Sequence, residues 1–195
     1  MNAASITLRT FTGIEVPLLV AQPEHIRLAD IARGLSMSAR FAGQTQIFYS
    51  VAEHSVNVAG LLRTSGYDAD VVRAGLLHDA AEAYVGDVTS PTKRALRHLS
   101  PGLASPYDAL EAGLMCAIAE HFRIAIELFD HPAVKRADMR MLEIENEAVR
   151  GLPFAGTDVV DTLVGGTSPA VFGLTHGTAE KAFLKAAELL GVADA

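Results

Sequence analysis

Residues 75–87, GLLHDAAEAYVGD, place three ionisable groups within five positions of an otherwise apolar segment: His78, Asp79 and Glu82, with Asp87 following a glycine. Two more groups of the same kind share apolar helical stripes elsewhere. His54 lies with Val51, Val58 and Leu61, and Asp138 with Val134, Met141 and Leu142. A carboxylate turned inward without a partner is strongly disfavoured. Two His and two Asp from three separate helices satisfy one another if they share a divalent cation. Imidazole mixed with carboxylate suits one transition metal with open positions (cobalt, manganese, iron, zinc or nickel) and not a closed thiolate site. Neighbouring His78 and Asp79 point about 100° apart around a helix, so both reach one ion only near its inner face or its end. Glu82 follows His78 by four and Asp79 by three, on the same side of any continuing helix. A carboxylate beside a metal, but not bound to it, activates water or moves a proton, and the pair makes a hydrolase. A single inward His is more often a hydrogen-bonded core residue; the agreement of several independent placements favours a site.

The elements that must position these groups are mostly helical. Ile6, Leu8 and Phe11, then Ile14 and Val16 across Thr12-Gly13, predict a hairpin within residues 1–20. RLADIARGL at 27–35 predicts a short amphipathic turn or helix, and residues 36–49 a loop. Ser50 with Glu53 forms an S-x-x-E capping box at the head of the His54 helix. Asp68 or Asp70 caps the next helix, which runs to about residue 83. Ser90-Pro91 and Ser105-Pro106 open two more, with Pro favoured in the first turn. Asp130 and Pro132 open the Asp138 helix, closed by Gly151. Residues 152–176 read as irregular, before a last helix, AEKAFLKAAELLG. The expected fold is mainly α: one domain over 1–195, with a β-hairpin appendage at 1–20, a metal-site helical core at 27–150, and a C-terminal loop and helix at 151–195.

Composition bounds the function. Half of the 195 residues are hydrophobic, enough for one sizeable core. A formal charge of −7 argues against binding a nucleic-acid polymer but not against a small anion held by local Arg and Lys. Cys116 is the single cysteine, so neither an internal disulfide nor a CxxC knuckle forms. No apolar run approaches the roughly 20 residues that span a bilayer. The opening MNAASITLRTFTG carries no basic leader, which speaks against a secretory signal, and a cytoplasmic location is expected. GGTS at 165–168 lacks the Lys of a P-loop, and neither HExxH nor GxSxG occurs.

The order His54, His78-Asp79, Asp138 resembles the HD-domain superfamily of metal-dependent phosphohydrolases. YSVAEHSVNVA around His54, LLHDAAEAYVGDVTSPTK around His78 and VKRAD at Asp138 look like its 5′-deoxynucleotidase (YfbR-like) branch. The resemblance covers roughly residues 36–150 and implies an HD-domain helical bundle. It implies His54, His78, Asp79 and Asp138 as metal ligands and Glu82 as the catalytic carboxylate. Arg40 takes the place of the branch's arginine before the EHS helix, with Phe41 where the bacterial enzyme has Trp. Lys93 takes the place of the Lys in its PxK and is a candidate phosphate contact. Asp87 either contacts the sugar or caps a turn. Arg94, Arg97, Lys135, Arg136 and Arg140 read as solvated surface. The segment TLRTFTGIEVPLL departs from the nucleotidase and resembles phage and bacterial HD proteins, some of which hydrolyse dATP to release triphosphate. The activity implied is release of phosphate from deoxynucleoside 5′-monophosphates. The rivals are triphosphate release, hydrolysis of an alarmone, and a module that binds metal or nucleotide without turnover. Relatives of this kind look like dimers, so a homodimer or higher homo-oligomer is expected.

Overall fold

Nine consecutive residues, Val51 to Ala59, are buried. A surface helix would bury one stripe only; burial on every side makes the helix Val51–Thr64 the central one. In the computed structural model, which describes residues 2–102, 105–149 and 171–194, helices surround it. In chain order they are α1 (Leu28–Met37), α2 (Val51–Thr64), α3 (Ala69–Leu77), the single turn α4 (Glu82–Val85), α5 (Ser90–Leu99), α6 (Pro106–His121), α7 (Pro132–Val149) and α8 (His176–Leu189). Helices α1, α3, α7 and α8 pack directly on α2. No described helix is long and apolar enough to cross a membrane.

The expected hairpin pairs β1 (Thr7–Arg9) with β2 (Glu15–Pro17), Leu8 opposite Val16. It is more than an appendage. Val16 is buried, and the backbone N–H and hydroxyl of Thr12 both donate to Asp30 on α1, each at 2.7 Å. The Pro-led starts hold: α5 begins at Ser90 and α6 at Pro106.

Two local readings change. The helix expected to run through residue 83 stops at Leu77, and residues 78–81 form turns closed by i→i+3 bonds, such as Glu82 N–H to the Asp79 carbonyl at 3.0 Å. His78 Nδ1 lies 2.9 Å from the Gly75 carbonyl, the acceptor a continuing α-helix would give to the amide of Asp79. The capping box is half made. Ser50 Oγ accepts from Glu53 N–H, but the Glu53 carboxylate, fully buried, accepts instead from the backbone N–H groups of Phe172, Gly173 and Leu174 at 2.7, 3.2 and 2.8 Å. Burial pushes the Glu53 carboxyl up to about 7, against the pull of those three N–H groups. The helix stop expected at Gly151 lies outside the described residues, as does most of the irregular 152–176 stretch.

Candidate metal centre

Three elements converge. Helix α2 carries His54, the end of α3 carries His78 and Asp79, and α7 carries Asp138. His54 Nε2 lies 3.3 Å from His78 Nε2 and 3.2 Å from Asp138 Oδ1. His78 Nε2 lies 3.2 Å from Asp79 Oδ2 and 3.9 Å from Asp138 Oδ1. Donor atoms of His54, His78 and Asp138 all fall within 4.8 Å of one another. Asp79 joins from the imidazole side, its Oδ2 3.7 Å from His54 Nε2. Because the helix ends at Leu77, His78 and Asp79 reach the same place from its terminus, one of the two arrangements open to adjacent ligands.

The hydrogen bonds behind the imidazoles decide whether this cluster fits a cation. His54 Nδ1 meets Glu145 Oε1 at 2.6 Å, and His78 Nδ1 meets the Gly75 carbonyl. Both partners accept only, so both Nδ1 atoms carry hydrogen and both Nε2 atoms present lone pairs. The two imidazole lone pairs thus face each other and the carboxylates with no hydrogen between them, an arrangement that requires a positive charge. Ligand atoms ~2.1 Å from one ion lie roughly 3.0–3.4 Å apart at about 90–110°, close to the 3.2–3.9 Å found. Burial lowers the His78 pKa, but Asp79 and Asp138 outweigh it and raise it well above the ordinary value. Contacts with both imidazoles, His78 foremost at Asp79 and His54 foremost at Asp138, outweigh burial and hold the two carboxylates far below the usual range.

Beside the cluster lies a cavity of about 580 Å³, within the size range of small-molecule sites. Arg40, Phe41, Asp79, Glu82, Asp87 and Lys93 line it, with Asp138 and Leu142 opposite on α7. The arginine loop is strained: Phe41 and Ala42 sit at φ 58° and 53°, a left-handed conformation costing about 1–2 kcal/mol for each side-chain-bearing residue. Arg40 is anchored by Tyr49, whose carbonyl accepts its N–H at 2.9 Å, and its guanidinium stands 5.5 Å from the Phe41 ring. Arg40 Nη1 lies 3.6 Å from Asp79 Oδ2.

Glu82 is buried, and its Oε2 has no hydrogen-bond partner among the described residues. Burial, then Asp79 and Asp87, push its carboxyl well above the ordinary value against Lys93 and Arg40. Lys93 Nζ is shared, 3.6 Å from Glu82 Oε1 and 3.0 Å from Glu111 Oε1. The Asp87 carboxylate makes no hydrogen bond to a described residue, so it caps no turn there and stays turned to the cavity. Arg97 pairs with Asp108 at the surface, as expected of it.

Sequence reasoning missed Glu145, Tyr49 and Glu111. Glu145 is fully buried and binds His54 Nδ1, the Tyr49 hydroxyl (2.9 Å) and Arg40 Nε (3.0 Å). It follows Asp138 by seven positions on α7, two helical turns, and so stands on the same face. That spacing was the available signal, obscured by exposed Glu143 and Glu147 around it.

The comparisons with known proteins agree with this geometry. Residues 51–149 match the HD domain family, a span holding His54, His78, Asp79 and Asp138. An uncharacterized protein of Rhodobacter capsulatus is 34% identical over 158 residues, 77% of this chain and 76% of the relative. The uncharacterized protein YfdR of Escherichia coli is 33% identical over 138 residues, 71% of this chain and 69% of the relative. With the helical bundle, the cluster and the matched span in hand, the chain belongs to the HD-domain family of metal-dependent phosphohydrolases.

Proposed function

We propose that this chain hydrolyses phosphate from deoxynucleoside 5′-monophosphates, with His54, His78, Asp79 and Asp138 as the ligands of one divalent transition metal. The observation that carries the reading is the junction of two unlike sites. A cluster that needs a cation opens onto a cavity that also holds a guanidinium, an ammonium and a buried carboxyl. A bound divalent ion supplies Lewis acidity and a water of lowered pKa.

The protein's own groups do the rest. Two of the five Arg40 donors are engaged by Glu145 and Asp79; the others meet the phosphoryl oxygens and neutralise charge as it develops. Glu82 keeps its proton until the leaving oxygen needs it, and Lys93 balances the carboxylate that is left, 3.6 Å away. Phe41 and Asp87, which line the cavity, would meet base and sugar. A module that bound nucleotide without turnover would have no use for a buried Glu82 beside the cluster, its Oε2 left without a hydrogen bond among the described residues.

The test is product analysis with dAMP and dATP in manganese or cobalt. Inorganic phosphate from dAMP is expected. Triphosphate from dATP would instead assign the triphosphohydrolase reaction to the same residues, and no turnover of either would sink both.

A further inference from the structure

We propose that Glu145 is a positioning residue that aligns the metal ligand His54 and the phosphate-binding Arg40 through one buried carboxylate. The inference rests on the ligand set and the role of Arg40 proposed above, and adds a residue that touches neither metal nor substrate.

The two oxygens of Glu145 divide the work. Oε1 accepts from the Tyr49 hydroxyl at 2.9 Å and from His54 Nδ1 at 2.6 Å, while Oε2 accepts from Arg40 Nε at 3.0 Å. Its residue is 0% exposed, so water replaces none of these partners. Tyr49, itself buried, receives Asn57 Nδ2 at 3.2 Å, which ties the hydroxyl to α2 one turn beyond His54. A buried carboxylate with three convergent donors is fixed in orientation, and it fixes the donors in turn.

The consequence for His54 is chemical as well as geometric. An ionised acceptor at Nδ1 keeps the hydrogen there and the lone pair on Nε2, toward His78 and Asp138. Partners of this kind behind a metal-bound imidazole change metal affinity by roughly 10–100-fold when removed. For Arg40, Glu145 holds the inner edge of the guanidinium, and Asp79 engages Nη1. Without Glu145, a 3.6 Å contact to a metal ligand is the ion pair left to that guanidinium among the described residues. One carboxylate therefore sets the spacing between the metal and the phosphoryl-binding cation.

The experiment measures manganese affinity by calorimetry, and KM and kcat for dAMP at saturating manganese, in wild type, Glu145→Ala and Glu145→Gln. Glu145→Ala is expected to bind manganese 10–100-fold more weakly and to raise KM by more than it lowers kcat. Should the alanine variant fail to fold, Glu145→Gln keeps the volume. One amide oxygen cannot serve all three donors, so manganese affinity or KM, or both, must shift about tenfold. A folded variant with manganese affinity and KM both within twofold of wild type overturns the proposal. Wild-type protein that binds manganese but hydrolyses no nucleotide refutes the substrate reading alone, and calorimetry still decides the role of Glu145.

Discussion

Gly34 lies inside α1, where exchange for Ala should raise stability by about 0.5–1 kcal/mol through helix propensity alone. The packing reverses that sign. A Cβ at residue 34 would stand 2.7 Å from both the Cβ and the carbonyl oxygen of Ala83, and 2.8 Å from its Cα. Carbon pairs rest at about 3.5–4.0 Å, so α1 and α4 must separate by roughly 1 Å. Two of the three obstructing atoms are backbone and no rotamer relieves them. Overpacking of this kind costs about 1–3 kcal/mol, which leaves Gly34→Ala less stable by ~0.5–2 kcal/mol after the propensity gain. In a chain of this length that is about 1–8 °C in Tm. The displacement also has a direction. Ala83 follows Glu82, and α1 leads into Arg40, so separation moves the Glu82 carboxyl away from the arginine. A misplacement near 1 Å costs up to about 100-fold in rate, while His54, His78 and Asp138 sit on other elements and keep their metal. Urea denaturation, metal content and kcat on dAMP check the three parts. A Gly34→Ala protein stabilised by 0.5–1 kcal/mol with undiminished kcat would refute the close-approach argument.

Glu82→Gln should retain wild-type metal content and lose roughly 10²–10⁴-fold in turnover. Because the Glu82 carboxyl is held above its ordinary 4.5 by burial and by Asp79 and Asp87, its proton is present below the raised value and lost as pH rises through it. The wild-type rate should therefore fall along an alkaline limb that is missing from the residual activity of Glu82→Gln; the same limb in both proteins would assign the proton to another group. Metal removal should destabilise the fold, since the ion binds a site absent from the unfolded chain. Manganese restored at 100 times its dissociation constant should add ~2.7 kcal/mol, or about 5–11 °C, and a Tm indifferent to chelation would contradict the cation requirement.

Much of the site could be read before any coordinates. His54, His78, Asp79 and Asp138 betrayed themselves because charge on an apolar helical stripe is costly unless partnered, and helical periodicity is a local property of the chain. The Pro-led helix starts and the Ser50 cap were legible for the same reason, as backbone conformation there depends on the adjacent residues. Glu53, Asn57 and Glu145 were not legible. Glu53 and Asn57 lie off the apolar stripe of α2, and on a helix with one wet face they would be solvated; they are buried because α1, α3, α7 and α8 enclose α2. The end of α3 at Leu77 was likewise hidden, since it turns on a side chain taking a backbone acceptor. Sequence alone determined which residue types must find a cation and on which helices they ride. Tertiary structure decided which of the remaining carboxylates are buried and what they hold, because burial is a property of neighbours brought from distant parts of the chain.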